Sequence, residues 1–484
     1  MNAPWDPGRV AFAIDRSQAT PITAQITATL RSAILDMRLR PGTRLPSWLD
    51  LAAQLGVSRG TVKAAYEALT DEFLVFSAGA AGTRVAERQA PRPVAIQQID
   101  IPRPLQDLER GFSLKPLPFQ MGVPAQDAFP AKIWARLRTR ACRDNAMAPL
   151  SPNDPRGEPE LRAQIAANLA ITRGICCHPD QIILTSGYKN GLALTLLVLG
   201  AHGRTAWVED PCYPVARIAL EIAGLKPVPV PVDSKGIRVD YGVRAAPDAA
   251  LAIVTPGQQA PTGVTLSPER RAALLAWATR EDAWVIEDDY LGELQLGGRA
   301  APSMAAEDPS GRVIHIGTFS KTISPTLGLG FVVAPLSLAQ RFGEVAGYLN
   351  PAPNVTTQLA LAGFLGDGHF LRHLRHMKTL YRERRNDLHA RLGKSIAVES
   401  FAGLAVIAHL PKGADDVALA KLAPEFGIAP APLSIWHARP AEAQPGLVLC
   451  VTNLAKPVID KACTALTALI EDPAARAPAR AHAA

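Results

Sequence analysis

The sequence predicts two domains, a small α+β domain of winged-helix form followed by a large α/β domain with a mainly parallel sheet. Three observations lead to this prediction. The chain has 484 residues, which is more than one ordinary domain holds. Helical periodicity and a glycine-containing hairpin occupy the first 86 residues. From about residue 121, helical stretches alternate with short apolar strands, which is typical of an α/β domain.

The first domain contains the elements of a winged helix-turn-helix. Residues 20–35 repeat apolar side chains at intervals of four, which predicts an amphipathic helix. Ser47 and Ser58 are suited to cap a second and a third helix, and Gly56 separates the two. Residues 74–85 predict a short β-hairpin, the wing. This order of elements is typical of DNA-binding domains.

Composition sets the domain boundaries and limits the class of protein. We expect the winged helix over residues 18–86, an extended linker with six prolines over 87–120, the α/β domain over 121–470, and a disordered tail over 471–484. The net charge is +7, but residues 1–90 hold 10 Lys+Arg and 8 Asp+Glu, a net of only 10 − 8 = +2. The expectation of DNA binding therefore depends on the motif and not on bulk charge.

Other features indicate a cytoplasmic protein that binds no metal and no membrane. The six cysteines form no Cys-x-x-Cys pair, which disfavours a disulfide framework or a zinc site. The N-terminus lacks the apolar region of a signal peptide. The longest apolar run, residues 192–201, is too short to cross a bilayer.

Residues at the ends of two predicted strands have the layout of a pyridoxal phosphate (PLP) pocket. Lys321 lies 33 residues after Asp288 (321 − 288 = 33), and the apolar strand 283–287 leads directly into Asp288. Ligands of open α/β sheets bind at the carboxyl ends of strands. A lysine there can form the Schiff base, an aspartate can keep the pyridine nitrogen protonated, and Tyr290 can bond the 3′-oxygen. Alone, an acidic strand end is more often a helix cap or a metal ligand.

Further strand ends add to the same pocket. The strand 181–185 runs through Ser186, Gly187 and Tyr188 into a helix whose N-terminus is suited to phosphate. Tyr213 follows another strand and can stack on a planar ring. Each feature is common by itself, and the prediction of a PLP pocket rests on their order along the chain.

At these motifs the chain resembles the MocR/GabR-type regulators, also called the PdxR type, which join a GntR-type winged helix to a fold-type-I aminotransferase domain. The resemblance extends over about residues 18–470. It is carried by the following stretches: 39–47, 55–67, 154–157, 183–187, 209–214, 261–263, 286–290 and 317–322.

The resemblance implies roles for individual residues. Lys321 would form the internal aldimine, Asp288 would hold the pyridine nitrogen, Tyr290 the phenolic oxygen, and Tyr213 would stack on the ring. The phosphate would be bound by Ser186, Gly187, Tyr188, Thr318 and Ser320. DNA would be contacted by Arg44, Ser47, Ser58, Arg59, Thr61, Lys63 and Thr83. The effector's carboxylate would be held by Arg439 or Arg217. The family also implies a head-to-tail, domain-swapped homodimer on two operator half-sites.

The chain departs from the family pattern at several positions. Gly328 stands where the family has an arginine that clamps the phosphate, seven residues after the lysine (321 + 7). Leu49 replaces a DNA-contacting arginine, and the glycine expected before Phe73 is absent. Ala260 replaces the asparagine that precedes Pro-Thr-Gly in aminotransferases, and Ala405 replaces a frequent histidine.

Three functions remain open on the sequence alone. The first is a PLP-dependent transcriptional regulator that senses an amino compound, or PLP itself, through the aldimine at Lys321, and is not an enzyme. The second is a working aminotransferase with a DNA-binding domain. The third is a regulator that has lost PLP binding. A basic segment, residues 371–392, is either an auxiliary DNA-facing ridge or, more commonly, a solvated helix.

Overall fold

The computed structural model forms two compact units, residues 1–103 and 104–484, which we describe one at a time. It describes residues 10–18, 20–87, 116–147, 154–296, 302–349, 352–392, 396, 398–399 and 403–471. Most of the predicted linker 87–120, and the predicted tail 471–484 apart from Glu471, lie outside these residues. The four domain boundaries therefore stay predictions.

The first unit is a winged helix-turn-helix, as predicted. Its elements are α1 (Ile22–Leu35), α2 (Trp48–Leu55), α3 (Arg59–Asp71) and the antiparallel strands β1 (Val75–Ser77) and β2 (Thr83–Val85). The Ser47 hydroxyl accepts the Asp50 N–H at 3.1 Å, and the Ser58 hydroxyl accepts the Thr61 N–H at 3.1 Å. Both serines therefore cap the helices that the sequence assigned to them.

The left-handed residue at the end of α3 is not at the position where the glycine was expected, since Glu72, directly before Phe73, has φ −81°. Phe73 itself has φ +56°, in the left-handed region, and its side chain is 83% exposed. We expect Phe73→Gly to stabilise the first unit by about 1 kcal/mol, because it removes a left-handed non-glycine residue without loss of packing. Hydrogen exchange of the amides in α3 and β1 measures this. Phe76→Gly, at an exposed strand position, is the control and should destabilise instead.

The second unit contains an eight-stranded, mainly parallel sheet, which confirms the predicted α/β class. The strand order is β3-β10-β9-β8-β7-β4-β5-β6, with β10 and β6 antiparallel to their neighbours. The strands are β3 (Ile182–Thr185), β4 (Thr205–Asp210), β5 (Lys226–Asp233), β6 (Gly236–Ile237), β7 (Leu251–Val254), β8 (Trp284–Asp289), β9 (Val313–Thr318) and β10 (Gly330–Val333).

Helices alternate with most of these strands along the chain, and the C-terminal part adds a smaller antiparallel sheet. The helices are α4 (Ala131–Ala146), α5 (Pro159–Thr172), α6 (Tyr188–Leu199), α7 (Pro214–Ile222), α8 (Val239–Ala245), α9 (Pro268–Arg280), α10 (Met304–Glu307), α11 (Leu336–Leu349), α12 (Val355–Gly366), α13 (His369–Leu392), α14 (Asp416–Leu422) and α15 (Lys456–Glu471). The smaller sheet has the order β11-β12-β14-β13, with β11 (Val398–Glu399), β12 (Ala405–His409), β13 (Ala431–Pro432) and β14 (Gly446–Cys450). The sequence analysis did not identify this sheet.

Strand β5 was also missed, because its sequence alternates proline with valine. Pro227, Pro229 and Pro231 share one side of the strand, and the Pro231 carbonyl on that side accepts the Arg238 N–H at 2.9 Å. The residues that alternate with these prolines have their backbone N–H and C=O groups on the side of β4. There the Lys226 N–H donates to the Arg204 carbonyl at 2.9 Å. Since the missing N–H groups all point away from β4, the prolines leave the parallel pairing with β4 intact.

Among the helices of the described residues, none is both long enough and apolar enough to cross a bilayer.

Candidate cofactor pocket and DNA-reading helix

Lys321 lies in the turn that follows β9, three residues beyond the end of that strand. The side chain is partly buried, and burial lowers the pKa of its amine below the ordinary lysine value, against the opposing influence of Cys450 and Asp288. A lowered pKa increases the fraction of neutral amine, which is the nucleophilic form. The position therefore suits a lysine that attacks a carbonyl carbon.

Asp288 is a buried carboxyl group, one of whose oxygens has no hydrogen-bond donor among the described residues. Its side chain is 6% exposed, and within the described residues its Oδ1 atom has no hydrogen-bond partner. Burial raises the pKa of Asp288 to about 8, while the nearby Tyr188 phenol lowers it, although the phenol oxygen forms no hydrogen bond of good geometry. An orphaned buried carboxylate oxygen is costly, so the site calls for a donor. A protonated pyridine nitrogen is such a donor, and PLP fits the site in this respect.

The neighbours of Asp288 point to the opposite face of the sheet, because side chains alternate along a strand. There Asp289 forms an ion pair with Arg173 at 2.7 Å, and both side chains are buried. Glu287 bonds His315 on the adjacent strand at 3.0 Å and accepts the Met304 N–H at 2.8 Å.

This buried network fixes the end of β8. Burial would raise the pKa of Glu287, but the interaction with His315, with help from Ser303 and Arg173, holds this pKa below its usual range. Neither Arg173 nor His315 was predicted from the sequence to belong to the site. One signal was present: in a parallel register His315 pairs with Glu287, and three consecutive buried acids require cationic partners.

The turn before α6 meets the end of β9 where the sequence predicted a phosphate site. A Cβ on Gly330 would lie 2.9 Å from both the Gly187 Cα and the Gly317 carbonyl oxygen, so these three glycines touch. A Cβ on Gly187 would lie 4.0 Å from the Ser320 hydroxyl, which accepts from the Thr318 hydroxyl at 3.0 Å. The structure thus brings Gly187, Thr318 and Ser320 together at the N-terminus of α6.

The same turn carries the other two predicted phosphate ligands. Ser186 is exposed, and its N–H donates to the Asn190 side chain at 2.8 Å. Tyr188 is the first residue of α6. The N–H groups of the first turn have no partner within the helix, which suits an anion.

Two aromatic rings lie near that of Tyr213. The ring centroid of Tyr213 is 6.3 Å from that of Tyr188 and 5.9 Å from that of Trp436. Burial raises the pKa of Tyr290 well above the usual tyrosine value, with a further contribution from Asp288. Tyr290 is therefore a neutral hydrogen-bond donor next to the carboxylate.

The two arginines predicted for the effector's carboxylate lie in different settings. Arg217 donates to the backbone carbonyls of Trp436 at 2.7 Å and Ile435 at 2.9 Å. Arg439 is 78% exposed at its side chain and lies 3.5 Å from Glu442. Their role toward an effector stays a prediction.

In the winged helix, the predicted DNA contacts lie on or beside α2, α3 and the wing. Arg59 is exposed in the first turn of α3, and Lys63 follows one turn later, 3.7 Å from Glu67. Two of the hydroxyl groups predicted to contact DNA already accept a hydrogen bond, since the Ser47 and Ser58 side chains cap α2 and α3. Arg44 is exposed, and its backbone forms an isolated antiparallel β-bridge with that of Arg84 in the wing. Thr61 and Thr83 are partly buried.

Comparison with known proteins identifies both units. Residues 22–85 match the model for bacterial regulatory proteins of the gntR family, and residues 127–466 match that for class I and II aminotransferases. The fold is similar to a kynurenine aminotransferase from Pyrococcus horikoshii, with a TM-score of 0.68, 24% identity, and coverage of 77% of this chain and 95% of that chain.

Two relatives resemble the chain over most of its length. The probable rhizopine catabolism regulatory protein MocR of Rhizobium meliloti is 35% identical, over 89% of this chain and 90% of the relative. The pyridoxine biosynthesis transcriptional regulator PdxR of Corynebacterium glutamicum is 34% identical, over 79% and 81% respectively. The chain therefore belongs to the MocR and PdxR type of GntR-family transcriptional regulators, in which a helix-turn-helix domain is joined to an aminotransferase-fold domain.

Proposed function

We propose that this regulator binds double-stranded operator DNA through α3 and senses an amino compound in a PLP pocket around Lys321. The observation that carries the proposal is the buried Oδ1 atom of Asp288, which has no donor in the described structure and lies near a lysine with a lowered pKa. Both properties are typical of a site built to hold a protonated nitrogen and to react with a carbonyl.

In this proposal each group of side chains has one task. Lys321 attaches the cofactor covalently, Asp288 accepts its ring N–H, Tyr290 donates to its phenolic oxygen, and Tyr213 packs on its ring. The phosphate is bound by Ser186, Gly187, Tyr188, Thr318 and Ser320. When bound, PLP supplies an electrophilic carbon for amines and an electron-withdrawing ring.

The protein's own groups keep this pocket ready for an amine. The ion pair of Asp289 with Arg173 and the bonds of Glu287 with His315 hold the end of β8, and with it the carboxylate of Asp288. An amine effector would bind in the same pocket, next to Lys321 and Asp288. It would shift DNA affinity only if it binds the two states of the regulator with different affinity.

On the DNA side, Arg59 is placed to contact a guanine edge or a phosphate, and Lys63 a phosphate. Arg44, Ser47, Ser58, Thr61 and Thr83 support these contacts. We expect a homodimer, head-to-tail and domain-swapped, on two half-sites.

The test measures binding of the full chain, loaded with PLP, to a duplex that the protein itself has selected from a random pool. A panel of amino acids and simple amines is then added. We expect one compound class to change the affinity by about fivefold or more, and to have no effect on Lys321→Ala. If every compound acts equally on both proteins, sensing through the lysine is wrong. Transamination assays on the same panel separate the regulator from a working aminotransferase.

Gly328 gives a prediction for the phosphate site. It has φ +56°, and no atom lies within 4 Å of the position of an added Cβ. Gly328→Arg should increase affinity for PLP by roughly tenfold to a hundredfold, since a charge-assisted contact contributes about 1.5–3 kcal/mol. The left-handed backbone cost of about 1 kcal/mol is present with and without PLP, so it lowers stability and not affinity. Gly328→Gln has the same backbone cost without the charge. Equal dissociation constants for the two variants, from absorbance titrations, would contradict the prediction.

A further inference from the structure

Two helices of the second unit carry more positive charge than the chain as a whole. Helix α4 has five Lys+Arg and one Asp, a net of +4, and α13 has seven Lys+Arg and two Asp+Glu, a net of +5. Their sum of +9 exceeds the net +7 of all 484 residues. Residues 1–90, which include the winged helix, have only 10 − 8 = +2. Most of the electrostatic attraction for a polyanion therefore lies outside the DNA-reading unit.

On α4 the cations form one solvent-facing stripe. The buried residues Trp134, Leu137 and Ala141 define the inner face of this helix. The opposite face carries four exposed cations at spacings of four, four and three residues, which places them in a row. These are Lys132, Arg136, Arg140 and Arg143. The acid beside them, Asp144, is 3.7 Å from Arg140 with both side chains mostly exposed, a pairing that stabilises little.

The N-terminal part of α13 continues the stripe. An Arg136 nitrogen lies 3.4 Å from His369 Nε2, and an Arg372 nitrogen lies 2.8 Å from His369 Nδ1. Arg375 is exposed one turn further along α13. We call the six side chains Lys132, Arg136, Arg140, Arg143, Arg372 and Arg375 the basic ridge.

Three other cations of α13 are held by residues distant in sequence and are not in the ridge, whereas Arg372 and Arg375 donate to carbonyls about one turn away, those of Asp367 at 3.2 Å and Leu371 at 3.3 Å. Arg384 is buried and pairs with Asp127 at 2.6 Å, and Arg382 donates to the Leu296 carbonyl at 3.3 Å. Arg391 pairs with Asp460 at 2.5 Å. Of the predicted basic segment 371–392, only the beginning therefore contributes to the ridge, and these three cations further along the helix have structural roles.

The contact at His369 favours an anionic ligand. A neutral imidazole has a single acceptor nitrogen, so it can accept from Arg136 or from Arg372 but not from both. Protonation would place a third positive charge between two guanidinium groups, and Asp367, at 3.9 Å from His369, is half exposed. A phosphate oxygen accepts several charged donors at once and would satisfy both arginines.

We propose that the basic ridge binds the phosphate backbone of DNA beyond the bases read by α3, an inference that rests on the DNA binding proposed above. Contacts of this kind are independent of sequence and release counterions, so they make the affinity depend on salt. Each phosphate contact contributes about 0.9 to the slope of log affinity against log salt. The ridge thus supplies affinity, and the winged helix supplies choice of sequence.

The test uses the full-length protein and two labelled duplexes of equal, generous length, one of random sequence and one selected by the wild-type protein. The ridge variant replaces Arg136, Arg140, Arg372 and Arg375 with glutamine. The matched control replaces four exposed lysines elsewhere in the second unit with glutamine: Lys226, Lys235, Lys412 and Lys421. Both variants change the net charge by four. The paired variants Arg136→Gln with Arg140→Gln, and Arg372→Gln with Arg375→Gln, give the same test if the fourfold variant does not fold.

We expect the ridge variant to lower the salt slope on both duplexes by about 2 to 3.6, and the control variant to leave it unchanged. Each paired variant should lower it by about half as much. An equal slope for ridge and control variants would overturn the proposal.

Arg59→Ala separates sequence reading by α3 from backbone binding by the ridge. It should remove the preference for the selected duplex while the ridge contribution to the salt slope persists. If the wild-type protein binds both duplexes equally while the ridge variant still lowers the salt slope, only the proposal that α3 reads sequence is contradicted, and the ridge proposal stands. No binding to either duplex overturns both.

Discussion

Replacing Lys321 with alanine is expected to abolish covalent attachment of PLP. The lysine is the partly buried amine of the pocket whose pKa is lowered by burial, and alanine offers no nucleophile at that position. The wild-type protein with PLP should show a visible absorption band that the variant lacks. After borohydride reduction, peptide mapping should find the cofactor on the peptide that contains Lys321.

Lys235→Ala is the control, because this lysine is exposed on a turn between β5 and β6. It should keep the band at full strength. A fully retained band in Lys321→Ala, or a wild-type protein with no band at saturating PLP, would contradict the cofactor assignment. The second result would favour a regulator with an aminotransferase fold that no longer uses PLP, which Gly328 would then explain.

Removing Arg173 is expected to destabilise the second unit by roughly 3–5 kcal/mol, the typical cost of leaving a buried charge without its partner. The Arg173 side chain is 1% exposed and pairs with Asp289, which is 7% exposed. In Arg173→Met the carboxylate of Asp289 would remain buried beside Glu287 and Asp288. Chemical denaturation followed by near-ultraviolet circular dichroism measures the loss, because Trp207 and Trp277 stack in the same unit with centroids 3.8 Å apart.

The control for this prediction is Arg280→Met. Its side chain is 57% exposed and pairs with Glu281 at 2.7 Å, so the expected cost is at most about 1 kcal/mol. The double variant Arg173→Met with Asp289→Asn should recover part of the lost stability, since it removes the unpaired charge. Equal losses for the Arg173 and Arg280 variants would show that the buried pair does not stabilise the unit.

The sequence predicted those parts of the molecule that depend on short-range patterns. Ser47 and Ser58 are capping residues followed by helical periodicity, and the structure confirms both caps. The strands that lead to Asp288 and Lys321 are short apolar runs bounded by turns, which predict strands over 283–287 and 313–317. They form at Trp284–Asp289 and Val313–Thr318, within two residues of the predicted ends. Such features are local, so one sequence is enough to find them.

The features that were missed depend on contacts between distant residues or on exceptions to propensity. Arg173 and Asp289 are 116 positions apart, and no local pattern joins them. The strands β11–β14 are short and lie between helices, so they lack the alternation that predicted the large sheet. Strand β5 contradicts the usual exclusion of proline, because only its pairing side needs N–H groups.

The prolines of β5 also determine what the edge of the large sheet can accept. On the outer side of this strand the Pro231 carbonyl already accepts the Arg238 N–H beside β6, while Pro227 and Pro229 present carbonyl groups without matching N–H donors. A further strand needs both donors and acceptors to add to a sheet. That edge is therefore protected against growth into fibrils, and two copies of the chain cannot associate by forming one continuous sheet through it.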